Sequence, residues 1–400
     1  MVLQKLDVIP IILQGEDLMK RSLLIATGLV LLSTSAFATK TRMTALGQDA
    51  ANGSRYIDDT RNVFRNAAHA GSTTNYVVSE WGNLGSTAEG GFFKEAGSFN
   101  YGVYLNSRND AQNGNNGASL GTTGTDYAGV GAFGADFSAA GANRSDDIDL
   151  FFAGDMGFQW GARIGYSSSD TKAAAAGSKE QTHDGMSLGA GAVFGDIEAS
   201  VNFVLKDEYA GSTSTSNDKL EGDKMDINVA YNWGSWTFFG DYDSRGADYT
   251  SGTKAETSRS TITLGAGHTH EVSSTARIYT DITYNNTKGT HKAAAATVES
   301  ERKTSNLQVN LGFEADATSW LTWRGSIRQN VLMDKTETKT APATTSSETN
   351  GTSTTLNAGA TLNFGKLKVD GTIGTATGAA GAGGLSTDAL LTQVALHYWF

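Results

Sequence analysis

The chain has 400 residues, 39% of them hydrophobic, with 48 Gly, two Pro, no Cys and a net charge of −11. The apolar share is low for a large soluble core, scarce Pro suits strands whose N–H groups are all paired, and the missing Cys removes disulfides, thiolate metal sites and thiol nucleophiles. Acidic residues spread along the chain disfavour a nucleic-acid partner, and beyond residues 19–38 no apolar run approaches the roughly eighteen residues of a helical membrane span.

Residues 1–18 fit no targeting pattern, so translation is expected to begin at Met19. Residues 19–38 read as a signal peptide, with basic Lys20 and Arg21, the apolar run Leu23–Leu32 and an Ala36-Phe37-Ala38 cleavage site. No Cys comes after it, which excludes a lipidated form. Residues 39–74 do not alternate. Asp58-Asp59 predicts the cap of a short helix carrying Val63, Phe64 and Ala67, in a segment that is either periplasmic or a partial plug.

From residue 75 onward the chain reads with period two. Met225, Ile227, Val229, Tyr231 and Trp233 share one face, against Asp226, Asn228, Ala230 and Asn232 on the other. Residues 306–314 and 197–206 repeat the pattern. Strands are predicted near 75–82, 86–94, 98–108, 147–154, 157–168, 184–194, 196–206, 223–233, 235–245, 258–269, 274–286, 303–314, 319–331, 353–364, 366–376 and 389–400. Tight links at Gly154–Gly157, Gly195-Asp196, Gly234-Ser235, His270–Ser274, Ala315–Thr318 and Gly365-Lys366 alternate with long polar ones near 168–183, 207–222, 246–257, 287–302, 332–352 and 377–388. Such sorting of connections by length is expected of a transmembrane antiparallel β-barrel, with short periplasmic turns and long extracellular loops. A soluble sandwich has no cause to sort them. Six of the seven Trp (160, 233, 236, 320, 323 and 399) fall near the short links, as an aromatic belt at headgroup level requires.

The fold class is therefore all-β, a barrel of about sixteen strands over residues 75–400, with fourteen or eighteen as alternatives. Residues 109–146 hold a possible strand, 127–137, that would break parity, and are read as one long extracellular loop able to fold inward. At sixteen strands the lumen is too wide for side chains to fill, so water stays inside. Arg163, Arg277, Arg324 and Arg328 then point inward, as do Asp149, Glu198, Asp226, Asp241, Asp243, Asp281, Asp370, Lys206, Lys366 and Lys368. Asp226, Asp241 and Asp243 lie apart from Arg277, Arg324 and Arg328, which predicts opposed acidic and basic walls, set against the alternative that lumen charges pair locally. Asp110, Asp126 and Asp136 are the acids the loop 109–146 offers to a constriction. In this the chain resembles the general porins, where an inward loop carries the acids.

Val394, Leu396, Tyr398 and Phe400 alternate up to the terminal carboxylate, which resembles the C-terminal β-signal read by the barrel assembly machinery of bacterial outer-membrane proteins. Arg42–Gly47, Tyr56–Asp59 and Asn62–Ala67, with Ala88–Phe93 and Asp149–Phe152, resemble a porin-like family of delta-proteobacteria that includes major outer-membrane proteins of predatory species. That family carries Asn-Pro-Ala where this chain has Asn66-Ala67-Ala68. The resemblance implies a Gram-negative outer-membrane porin passing small polar solutes and ions, in contact with outer-membrane lipid and by analogy a homotrimer. The rivals are a plugged carrier of a specific, even hydrophobic, substrate and a surface adhesin. The six His show no spacing that resembles a triad or a zinc site, so neither catalysis nor a metal or other cofactor is expected.

Overall fold

The structure is a computed structural model. It describes residues 39–72, 75–82, 88–107, 147–171, 180–212, 217–251, 253–292, 299–340, 343–348, 354–378 and 393–400. The expectations for residues 1–38 and for the loop acids Asp110, Asp126 and Asp136 lie outside the described residues.

Seventeen strands form one antiparallel sheet. They are β1 Tyr76–Gly82, β2 Glu89–Ala96, β3 Phe99–Leu105, β4 Ile148–Asp155, β5 Gln159–Thr171, β6 Glu180–Phe194, β7 Ile197–Ser212, β8 Asn217–Trp233 and β9 Trp236–Ser251, followed by β10 Thr253–Ser273, β11 Ala276–Lys292, β12 Ser300–Thr318, β13 Leu321–Thr340, β14 Ala343–Glu348, β15 Thr354–Phe364, β16 Leu367–Gly378 and β17 Gln393–Trp399. Apart from β14 and β15, each pairs with its neighbours in sequence, and β1 pairs with β17 from Tyr76↔Trp399 to Gly82↔Gln393, which closes the ring. Phe400 N donates to Asn75 O at 3.0 Å beside that seam. Short β14 pairs only with the far end of β13, while β15 takes up the near end. Setting β14 aside, seventeen less one leaves sixteen staves, and no sheet edge is exposed to lipid among them.

The alternation sets which face looks out. Leu188, Phe203, Ile227, Val229, Phe238, Leu264, Ile282, Leu311, Ile327 and Leu356 are all exposed, on strands spread around the ring. An apolar belt of that extent would drive aggregation in water and is satisfied only by hydrocarbon. At one end the hairpins are tight. Gly97, Gly157, Gly195, Gly234 and Gly365 all take positive φ in them, a conformation other residues rarely adopt. Trp233 and Trp236 pair across one such turn, and Trp320 lies in another, with Trp323 following it on β13.

Much of what reads as long polar connection is strand. Residues 207–212, 217–222, 246–251, 253–257 and 287–292 continue the ladders, as in Thr250↔Lys254 and His291↔Thr257. Here the outward face turns polar, with Glu208, Lys219, Glu221, Asp248, Lys254 and Glu256, and Tyr209, Leu220, Ala247 and Ala255 are buried on the other, so the apolar-outward alternation ends while the backbone pairing goes on. β10 reaches 21 residues in this way.

An outward arginine at mid-belt meets hydrocarbon, so Leu264→Arg should cost about 2–4 kcal/mol. Reversible urea unfolding in lipid vesicles measures this, and an unchanged midpoint would contradict the outward assignment.

Candidate functional site

Residues 39–72 lie inside the ring and touch its wall on nearly every side. They form one short helix, α1 (Lys40–Ala45), capped by the Thr39 hydroxyl, and two 3-10 turns, Thr60–Phe64 and Ala67–Gly71. Asp59 caps the first turn by accepting from Arg61 N at 2.7 Å, the role the sequence suggests for this acidic pair. Inward glycines let this inner segment approach the wall. A Cβ on Gly161 would stand 2.2 Å from the Ala67 carbonyl, and one on Gly191 would stand 1.9 Å from Asn66 Oδ1.

The contacts divide the lumen by chemistry. Against β1–β5 the segment builds an ordinary apolar core of Val63, Phe64, Ala67, Ala70, Tyr76, Val78, Phe93, Tyr104, Phe151 and Ala153. Phe64 meets Tyr104 and Phe151 edge-on, with centroids 5.0 and 5.4 Å apart. Arg61 lies over the Phe64 ring, gives a hydrogen bond to Tyr104 Oη at 3.0 Å and stands 3.4 Å from Glu89. Glu89 also takes the Lys40 ammonium at 2.7 Å.

Against β12–β16 the contacts are ionic. Arg42 donates from Nε and Nη2 to the two oxygens of Glu314, at 2.8 and 3.1 Å, and from Nη1 to Asp59 at 3.3 Å. Arg324 donates to the same Glu314 and, from Nη1, to Asp370 Oδ1 at 3.0 Å. Thr39 donates to the other Asp370 oxygen at 3.2 Å. Two guanidinium groups and three carboxylates thus share one buried network, and fork-to-fork geometry offsets part of the desolvation cost. Burial pushes the Asp59 carboxyl up to about 7, against the pull of Arg42 and Arg61.

The remaining wall, β7–β13, borders open space. One cavity of about 220 Å³ is lined by Asp49, Arg55, Asn202, Asp226, Asp241 and Asp243, with Arg245 and Arg259 among its other residues. A second, of about 370 Å³, is lined by Gln48, Tyr56, Asp281, Thr283, Gln308 and Arg328, among others. Asp49, Arg55 and Thr263 border both cavities, and Arg55 is ion-paired to Asp241.

Among the described residues, the arginines and the main acids singled out in the sequence have definite places. Arg163 is buried, 2.9 Å from Asp149, and donates to the Phe64 carbonyl. Arg277 stands 3.5 Å from Glu271 near the tight turns. Arg324 lies beneath α1, and Arg328 faces the larger cavity. Asp243 takes Arg245 at 2.9 Å, and Asp226 takes Lys224 at 2.7 Å. Asp281 accepts from Tyr56 Oη at 2.7 Å, Gln48 at 3.0 Å and Asn310 at 3.1 Å. Val394, Leu396, Tyr398 and Phe400 alternate with buried Ala395 and His397. Sequence reasoning missed Arg42, Arg55, Arg61 and Glu314. The available signal was four arginines (Arg42, Arg55, Arg61 and Arg65) in a segment without alternation, together with glycines at inward strand positions.

A closed sixteen-stave ring with an apolar outer belt and tight turns sorted to one end is the architecture of Gram-negative outer-membrane β-barrels, and this chain is one by construction. No protein-family model matches it, and no curated protein matches it significantly. Among solved structures it is similar to OmpT, an outer membrane protein of Vibrio cholerae, with a TM-score of 0.35 and 10% identity over 81% of this chain and 95% of that one. The CymD monoaromatic hydrocarbon channel gives 0.39 and 10% over 91% and 99%. The alcaligin outer-membrane receptor FauA from Bordetella pertussis gives 0.40 and 7% over 78% and 62%.

The ionic contacts make docking of the segment sensitive to mutation and to pH. Arg42→Ala leaves Glu314 and Asp59 without that guanidinium, a loss of about 3–5 kcal/mol for a broken buried pair, so the segment should become sensitive to protease while the barrel stays folded. Equal protection in the variant would contradict the network. Asp59 held up to about 7 binds a proton in the docked state that it would lack when released and ionised. Docking by this group is therefore strongest below its free pKa and weakens as pH rises toward 7. Protease protection should fall between pH 5 and pH 8 in the wild type and flatten in Asp59→Asn, which keeps the cap.

Proposed function

We propose that this barrel is a narrow porin-type channel for small polar solutes, constricted by its own N-terminal segment. The observation that carries the reading is that polar cavities remain between the segment and β7–β13, where its contacts are scattered and polar. Apolar core and ion pairs occupy β1–β5 and β12–β16, while polar cavities run along β7–β13. The shared border at Arg55, which is ion-paired to Asp241 of the smaller cavity, is the natural narrowest point, with a cation from the segment and an anion from the wall side by side. Polar walls disfavour a hydrophobic cargo, since each desolvated amide or charge along the path would go unpaired. A passage of this kind selects by charge and size at a fixed site rather than by an opposed pair of free walls.

Single-channel recording in planar bilayers tests this. The wild type should open in steps of one size, and Arg55→Ala should enlarge the step and shift the reversal potential toward cations, because Asp241 and Asp49 remain. Silent bilayers from a folded, heat-modifiable barrel would overturn the channel and leave a closed carrier or surface protein. An unchanged step in Arg55→Ala would move the constriction elsewhere.

A further inference from the structure

Arg328 differs from the other inward arginines. Its guanidinium has no acceptor or ring partner among the described residues. Its ladder partners are Asn310 on β12 and Thr355 on β15, and its inward neighbours along β13 are Ser326 and Asn330, so its immediate neighbours on the wall are neutral and the acid in the same row, Asp281 on β11, lies one strand further on. Arg163, Arg324 and Arg55 all have carboxylates. Arg328 instead borders the 370 Å³ cavity, a size at the low end of small-molecule sites, which run roughly 300–1,000 Å³.

The rest of that cavity narrows the ligand class. A planar guanidinium fork matches a carboxylate, and a half-buried cation without a counter-charge gains most from one. Two acids line the same space, Asp49 and Asp281. They repel a dianion such as phosphate and favour a ligand that carries its own cation. Asp281 already accepts four hydrogen bonds, from Gln48, Tyr56, Asn310 and Thr283. Asp49 Oδ1 takes the Ala51 and Asn52 amides, whereas its Oδ2 takes only the Asn52 side chain and lies toward solvent. Oδ2 therefore has lone pairs left for an ammonium group. Thr283, Asn285, Gln308 and Thr263 supply neutral donors and acceptors between the two charges.

We infer that this cavity binds a zwitterionic α-amino acid, with the carboxylate on the Arg328 fork and the ammonium group toward Asp49. The inference rests on the reading of the lumen as a solute passage and names the solute class. Isothermal titration of the full-length protein in detergent with L-glutamine tests it, with glucose as a neutral polyol of similar size. Glutamine should bind and glucose should not. Arg328→Gln should weaken glutamine at least about tenfold (roughly 1.4 kcal/mol), and Arg328→Lys, which keeps the charge without the fork, should fall between. Arg328 has no partner to lose among the described residues, and heat-modifiable migration confirms that each variant is folded. No binding by the wild type, equal binding of glucose, or an affinity unchanged in Arg328→Gln would each overturn the inference. Binding without conductance would sink the channel and keep the site, and conductance without binding would sink the site alone.

Discussion

A ring of sixteen staves encloses more room than its own inward side chains fill, and an occupant of that room has to satisfy a wall made of amides, hydroxyls and charges. The inner segment meets this constraint with arginines. Arg42 reaches Glu314, Arg61 reaches Glu89 and Arg55 reaches Asp241, three strands well apart on the ring. A barrel wall cannot offer a continuous apolar surface inward and outward at once and keep its period-two sorting, so the inner contacts are necessarily more polar than those of a soluble core.

The division of the lumen comes from where the wall departs from that rule. On β1–β5 the inward positions include Tyr76, Phe93, Tyr104 and Phe151, and there the segment packs as a small hydrophobic domain would. On β12–β16 Glu314, Arg324 and Asp370 face inward instead, and docking is ionic and tuned by proton uptake at Asp59. Along β7–β13 the wall carries Asp226, Asp241, Asp243, Asp281 and Arg328, and the segment leaves space. Docking contacts are thus densest along β1–β5 and β12–β16, and open volume lies along β7–β13, the arrangement on which the proposed channel rests.

The outer half of this design was legible in the sequence and the inner half was not. Met225–Trp233 shows why: the apolar face has to be Met, Ile, Val, Tyr and Trp because lipid accepts little else, so alternation fixes strand, face and register together. The hairpin ends at 246–257 escaped because their outward face, with Asp248, Lys254 and Glu256, is polar, and their buried face carries small residues such as Ala247, Ala255 and Thr257, so no apolar alternation marks them. Inward residues escaped for a related reason. Asn310 reads as a pore-lining amide, yet it donates to the Leu46 carbonyl of the segment, and Arg324 reads as a free wall charge, yet it lies under α1. A polar side chain that meets water and one that meets a buried partner look alike in sequence. Inward glycines such as Gly161 and Gly359 carried the distinguishing information, since only another backbone or side chain pressed against the wall requires them.

The central claim is that residues 39–72 sit inside the ring against β12–β16, and the absence of native Cys allows it to be tested by a single cross-link. Gly359 on β15 and Ala45 on α1 are placed so that a Cβ at 359 would stand 2.7 Å from the Ala45 Cβ, which is within the reach of a disulfide after slight adjustment. In Ala45→Cys, Gly359→Cys protein held in outer membranes, mild oxidant should convert nearly all chains to a form whose migration is altered and restored by reductant. Persistently free thiols in a folded barrel would place the segment elsewhere and contradict the account.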